Sequence, residues 1–568
     1  MGSKDSSVDD GTLLAALGFG FVISASAIVL AAAPLAGLLS GQGWSRSSKS
    51  VPETVLFSIG KGPGAVYSPA PPTWLFWLLV GVFAVLLIVV MLVVSKAFGG
   101  RKKNLGGAQW GGAKTERELT VDADPVKRPN RITAGRGKIT KKVLAAEPDI
   151  SAIAFGVPGS TKTTGLVLGN AAEWMGPLVV TTTKAADLDE IYASRTSIGP
   201  VYVIAPAGLP GRKTAKWSPI DYSKDPKSAD RMAEWLANAS TSGHDKRAAP
   251  WIAQARPILK GLLLAAHLSG GGIASFREWV ALGKDAADHV TAILEAQYPE
   301  AALDYGRPWV TLHKDGIGSV QFTLNVIAAM FADEEVRDTA SGTDFTVEDL
   351  LDQRATVALI ASPSDADRFA PLLTAIIASI IHGAEMRYNK TARSLAPGLG
   401  VMVDEAGNML RYPQLPAVLT TGRGMGITVL TIWHDLSQLR TSLGRDAANT
   451  VLSASGMRLL LPGCGDPETL KHFSGLYGRT LVERTTTSSG EGRKGTSTSS
   501  VETDLAPVHE LMQLPKFSAI AQYSNLPPVK VDMRLTWRDP ELKAWLDRPA
   551  APPVRLAKSS STASLGGS

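Results

Sequence analysis

The stretch AFGVPGSTKTTGLV, residues 154–167, follows a short apolar run and comes within one residue of a phosphate-binding loop. In the motif G-x-x-x-x-G-K-[ST] the glycines let backbone N–H groups curl around phosphate oxygens. The lysine reaches the β and γ oxygens, and the hydroxyl holds Mg²⁺. Gly156 begins the motif here, and Lys162 with Thr163 closes it. Thr161 stands where the second glycine belongs, which costs backbone freedom if that position needs a positive φ. The expected contacts to ATP are Gly156, Pro158, Gly159, Ser160, Thr161, Lys162, Thr163 and Thr164, with Mg²⁺ on Thr163. The competing reading is a Gly/Ser turn before an ordinary helix that carries a lysine by chance.

The flanks favour the loop. ISAIAF (150–155) reads as a buried strand, 164–174 as a helix and 177–180 as the next strand. PLVVTTTK and VYVIAP (201–206) are spaced like neighbours in a parallel sheet. From about Ser223 to Ser341 the apolar spacing turns helical, through KSADRMAEWLANAS, WIAQARPILKGLLLAAHLSG, FREWVALGKDAADHVTAILEA and QFTLNVIAAMFADEEVRDTA. Strand-like runs resume at TVALIAS (356–362), GLGVMVDE (398–405), GITVLTIW (426–433) and MRLLLPG (457–463). A doubly wound α/β domain interrupted by an all-α insertion is the simplest arrangement. ERTTTSSGEGRKGTSTSSVETD (483–504) reads as a mobile loop, and KSSSTASLGGS at the end as disordered.

A chain of 568 residues has room for several domains. Its single cysteine, Cys464, excludes an intrachain disulfide and a multi-cysteine metal site, and fits a reducing compartment. No charge occurs between Asp10 and Arg46, and the stretches 13–39 and 74–94 are each long and apolar enough to cross a bilayer. A cleaved signal peptide fits the first less well, because its flank MGSKDSSVDD carries one lysine against three aspartates. Lys96, Arg101, Lys102 and Lys103 follow the second stretch and place that end, and with it both termini, in the cytoplasm. Residues 96–142 hold 13 Lys/Arg against 4 Asp/Glu, a net +9 in a chain that totals +6. Such a basic linker suits lipid headgroups or nucleic acid.

VMVDEAGNM (401–409) supplies the partner that a phosphate loop needs, an apolar strand ending in two carboxylates. Asp404 is expected to hold Mg²⁺ and Glu405 to orient or deprotonate the attacking water. His434, just past GITVLTIW, and Gln438, one helical turn on, are candidates to sense the γ-phosphate. Arg423, in TTGRGMGI, could act as an arginine finger on a neighbouring subunit. Each of these also has a plain reading, as a solvated strand end or a surface arginine.

The order of these parts resembles the coupling-protein ATPases of conjugation and type IV secretion, the TraG/TraD group. The resemblance runs from about Ser151 to Arg534. It includes GVPGSTKTTGLVLGN, VVTTTKAADL, WSPID (217–221), VALIASPSDADRFAPLLTAII, VMVDEAGNM, GRGMGITVLTIWHDLSQL and LPKFSAIAQYSNLPPVKV. Two departures stand out: Thr161 for the usual glycine, and His434 where the group most often has Gln.

The resemblance implies an α/β fold, a RecA-like P-loop ATPase domain with an inserted all-α domain and two N-terminal transmembrane helices. It also implies a homo-hexameric ring in the bacterial cytoplasmic (inner) membrane, multi-pass, that hydrolyses ATP between subunits. The ring would bind DNA, single-stranded and carried by a relaxase, and deliver it to type IV secretion channel components. The expected domains are a membrane anchor (1–95), a basic linker (96–142), the ATPase domain (143–222 and 342–545), a substrate-recognition insertion (223–341) and a disordered tail (546–568). The alternatives are an FtsK-type DNA translocase and a substrate-recruiting scaffold with weak hydrolysis.

Overall fold

The computed structural model describes residues 26–98, 106–240, 249–490 and 493–547. They belong to two units, residues 1–105 and 106–568.

In the first unit the helix Thr73–Phe98 is apolar over Thr73–Val90, and only 11% of that window is buried. It is long enough to cross a bilayer. Of the other expected span, residues 13–25 lie outside the described residues, and the apolar helix Ser26–Leu39 is too short to span by itself. Ala32, Ala33 and Ala36 from it cluster with Phe76 and Leu79. The other long apolar helix among the described residues, Ala366–Thr391, is 78% buried and is a core helix of the second unit rather than a span.

The second unit is built on an eleven-stranded sheet. In chain order its strands are β1 (Thr133–Gly137), β2 (Val143–Ala145), β3 (Ala152–Phe155), β4 (Leu178–Thr182), β5 (Val201–Ile204) and β6 (Thr356–Ile360). They continue with β7 (Leu399–Val403), β8 (Ile427–Trp433), β9 (Met457–Leu460), β10 (Ser518–Tyr523) and β11 (Val529–Asp532). The spatial order is β2-β1-β11-β10-β9-β3-β8-β7-β4-β6-β5. The seven strands from β9 to β5 run parallel, and β10, β11, β1 and β2 extend the sheet antiparallel. The sheet is therefore mixed, not wholly parallel as the apolar runs suggested.

Both faces are covered, because successive strand residues point to opposite sides. Ile153 and Phe155 of β3 join one core, and Ala152 and Ala154 join the other. The first core runs on into the insertion between β5 and β6. Among its described residues that insertion has helices and no strand, from Pro226–Ser240 to Glu334–Thr339, and its Met232, Leu236, Leu259 and Leu263 share the cluster of Ile153.

Two expectations are corrected. The linker read over 96–142 is folded from residue 106 on: the helix Ala113–Leu119 and β1 lie in this stretch, with β2 directly after it. The glycines and the arginine of TAGRG hide a strand in which Gly135 is needed, since a Cβ there would lie 2.6 Å from the Asp532 carbonyl oxygen. The stretch read as a mobile loop is an antiparallel hairpin, Arg479–Gly490 with Arg493–Asp504, in which Val482 faces Val501. Its threonines favour strands even where the composition resembles a linker.

Candidate nucleotide-binding site

The loop leaves the carboxyl end of β3. Gly156 N donates to Trp433 O at 2.9 Å, which sets the start of the loop level with the end of β8. A Cβ on Gly156 would lie 2.7 Å from both Leu461 Cδ1 and Ser160 Oγ, so the backbone closes here only with glycine. Thr161 has φ +64°, so the position where the motif has glycine does need the left-handed region. A β-branched residue held there is strained by about 1–2 kcal/mol. The Thr161 hydroxyl donates to Ser160 O at 2.5 Å and lies 3.4 Å from Met533 Sδ. A wide π turn, Thr163–Val167, and the helix Leu168–Glu173 then carry the chain away.

Lys162 is buried, and its Nζ lies 3.2 Å from Glu405 Oε1. Thr163 Oγ1 donates to Asp404 Oδ2, while Thr181 Oγ1 donates to the Asp404 carbonyl at 3.0 Å. Register explains the meeting: β7 and β8 are parallel neighbours, and β8 also pairs with β3, so all three carboxyl ends converge. Burial raises the Asp404 carboxyl above its usual value, opposed by the Thr163 hydrogen bond and the Lys162 charge. Glu405 goes the other way. His434, its Nε2 3.9 Å from Oε1, and Lys162 draw the Glu405 carboxyl down to about 2 against the cost of burial. Glu405 also sits in the left-handed region, with φ 52° and ψ 50°, which turns its side chain back toward the lysine.

His434 thus faces the site, but Gln438 is occupied otherwise. Its Oε1 accepts from His434 N at 2.9 Å, and its own N–H donates to Asp435 Oδ1 at 2.7 Å. Gly407 makes room for it, since a Cβ there would come within 2.2 Å of Gln438 Cδ. The geometry makes Gln438 a support for His434 rather than a direct sensor. Arg423 is not brought to the loop at all. It ends the helix before β8 and pairs with Glu147 at 2.8 Å, at the amino edge of the sheet. The seven residues of β8 separate that edge from the loop, about 20 Å at ~3.3 Å per residue.

Sequence reasoning missed the supports behind the loop. Glu173 ends the helix that follows it and is buried between Arg128, at 2.6 Å, and Arg534, at 2.7 Å. Arg534 in turn meets Asp539 at 3.1 Å, and Arg136 reaches the same carboxylate at 2.8 Å. Residues hundreds of positions apart converge here, and only the charge of each was visible in the sequence.

The residues present fit a phosphate chain. Ser160 Oγ is buried and, among the described residues, has no hydrogen-bond partner. Lys162 presents an ammonium at the helix start, where backbone N–H groups add a partial positive charge. Thr163 and Asp404 offer adjacent oxygens of the kind that Mg²⁺ prefers.

The family profile described as type IV secretory system conjugative DNA transfer matches residues 103–559. Conjugal transfer protein TraG of Rhizobium radiobacter and that of Agrobacterium fabrum are each 23% identical over 412 residues, 69% of this chain. The chain covers 63% and 61% of their respective lengths, just under two thirds. Among solved structures, the bacterial conjugative coupling protein TrwBdeltaN70 in its unbound form aligns with a TM-score of 0.56 at 18% identity, over 78% of this chain and 96% of that one. TrwB in complex with ADP and Mg²⁺ aligns with a TM-score of 0.56 at 17% identity, over 78% of this chain and 97% of that one. At such identities the likeness establishes the α/β fold.

Proposed function

The chain belongs to the type IV secretory system conjugative DNA transfer family, and from that premise we propose that it is a membrane-anchored ATPase that recruits a relaxase–DNA substrate to the secretion channel and couples ATP hydrolysis to DNA translocation. The observation that carries this reading is the convergence of Lys162, Thr163, Asp404 and Glu405 at one edge of the sheet. TrwB, which shares the fold, has been solved in complex with ADP and Mg²⁺ and in complex with a non-hydrolysable ATP analogue.

In this reading the loop amides and Lys162 hold the β- and γ-phosphates. Thr163 and Asp404 hold Mg²⁺, which when bound neutralises charge on the transferring group. Glu405 orients the attacking water and takes its proton, which requires Lys162 to leave it for the phosphates. Gln438 fixes the backbone of His434, whose ring faces the γ position. Arg423, remote from its own loop, serves the phosphates of the adjacent subunit in the homo-hexamer that the resemblance implies.

The anchor of residues 1–95 holds the ATPase domain and both termini on the cytoplasmic side of the inner membrane. The helical insertion docks the relaxase. A groove of about 680 Å³ lies in it between Trp251, Lys314, Asp315 and Phe322, with Phe322 71% exposed. A second reading, a recruiting scaffold that hydrolyses weakly, is favoured by one observation only, the strained Thr161.

Transfer in a mating assay tests the proposal. A donor carrying Lys162→Ala should lose transfer, and a donor with the insertion deleted should lose relaxase pull-down while its nucleotide binding persists. Undiminished transfer with Lys162→Ala would reject the motor and leave the scaffold.

A further inference from the structure

The phosphate loop has two flanks, and only one of them carries the chemistry. On the side of β8 and β7 stand His434, Asp404 and Glu405. The reacting γ-phosphate belongs there, so the nucleoside end of a bound nucleotide emerges on the other flank.

That other flank is closed by the segment after β11. β10 runs antiparallel to β9, and β11 antiparallel to β10, so β11 points the same way as β3. Its carboxyl end therefore lies at the same edge of the sheet as the loop. Met533, the next residue, touches the loop directly, with Sδ 3.4 Å from Thr161 Oγ1. A Cβ on Gly165, one turn into the helix, would lie 2.7 Å from Met533 Cε and 3.3 Å from Leu535 Cδ2. A turn follows, closed by Arg538 N donating to Leu535 O at 2.9 Å. Within that turn Thr536 is 3% exposed, and its Oγ1 has no hydrogen-bond partner among the described residues. The next residue, Trp537, is 57% exposed. Beyond it the chain returns along the same helix, with Leu542 3.3 Å from where a Cβ on Gly169 would be.

We infer that the segment Met533–Trp537 is the base-recognition subsite of the nucleotide site, with the Trp537 indole stacking on the nucleobase and the Thr536 hydroxyl available to its polar edge. The inference rests on the reading of 156–163 as a phosphate loop. An indole at a turn tip offers a large flat face to a π-system, and stacking of this kind tolerates any base and adds nothing to a ligand that has none. Met533 adds a polarisable floor between the base and the loop.

The test compares a ligand that has a base with one that lacks it. The full-length chain in detergent, with Mg²⁺, is titrated calorimetrically with a non-hydrolysable ATP analogue and with inorganic tripolyphosphate. Trp537→Ala should weaken the analogue roughly 5- to 100-fold and leave tripolyphosphate unchanged, and Trp537→Phe should restore most of the loss. Unchanged analogue affinity in Trp537→Ala overturns the subsite, as does an equal loss for both ligands, which would mean that the residue only shapes the loop. Failure of tripolyphosphate to bind the wild-type chain would instead remove the phosphate loop, and the subsite with it.

Discussion

Lys162 and Glu405 hold each other: the ammonium lies 3.2 Å from the carboxylate, with both side chains largely buried. The phosphate-binding cation and the base of the proposed reaction are thus mutually neutralised across the site. Such a pair is released when phosphate oxygens compete for the lysine, so the base becomes available only when substrate is present. Glu405 is held low enough that it stays ionised throughout neutral pH.

Thr161→Gly should improve the loop. Threonine at φ +64° carries strain that glycine does not, and relief of ~1–2 kcal/mol corresponds to roughly tenfold tighter nucleotide binding if the strain is felt in the bound form. The measurement is the dissociation constant of an ATP analogue. Weaker binding in the glycine variant would show that the threonine contacts to Ser160 and Met533 outweigh the strain.

Gln438→Ala should lower turnover and spare binding. Its carbonyl anchors the His434 backbone at 2.9 Å, and loss of one such bond, about 1 kcal/mol, lets the ring leave the γ position. We expect kcat to fall several-fold with the analogue dissociation constant within about twofold of wild type. Gly407→Ala, whose new methyl would collide with Gln438, should reproduce the effect. An altered affinity with unaltered kcat would contradict the support role.

Glu173→Gln should destabilise the whole second unit. The carboxylate is buried between the guanidinium groups of Arg128 and Arg534, and removal of one partner from a buried set costs about 3–5 kcal/mol. A marked drop in the apparent Tm is expected; a Tm within one degree of wild type would show that the cluster adds nothing to folding.

The same cluster should make stability sensitive to acid. Burial alone would raise the Asp539 carboxyl, but hydrogen bonds from Arg136 and Arg534 hold it well below the usual carboxylate range. A group depressed in the folded state stabilises at any pH above its unfolded value near ~3.9, and that contribution fades as pH falls below it. The gap in urea midpoint between wild type and Asp539→Asn should therefore be full at pH 7 and shrink below about pH 4. A gap independent of pH would mean that Asp539 acts by shape rather than charge.

The parts of this molecule that repeat a strong local pattern were legible before folding. The apolar runs gave the parallel strands and the helical spacing gave the insertion, because each is written in consecutive residues. Lys162 and Thr163 could be paired with Asp404 and Glu405 because the first two close a loop that follows one recognisable strand and the other two directly follow another. The rest depended on contacts between distant segments. TAGRG becomes a strand only because β11 lies beside it, and a Ser/Thr-rich tract becomes a hairpin only by pairing with itself. Gln438 looked like a sensor because its side chain type allows it, whereas the hydrogen bond to His434 that uses it is a property of the fold. Met533 had no signal at all.

ATP hydrolysis by the full-length chain in detergent, measured with and without single-stranded DNA, tests the central claim most directly. Wild type should turn over ATP, and faster with DNA. Lys162→Ala should neither bind nor hydrolyse, and Glu405→Gln should bind the nucleotide and leave it intact. A wild-type chain that binds no ATP at millimolar concentration, or a Lys162→Ala chain that hydrolyses it as fast as wild type, would contradict the assignment of this loop as a working phosphate site.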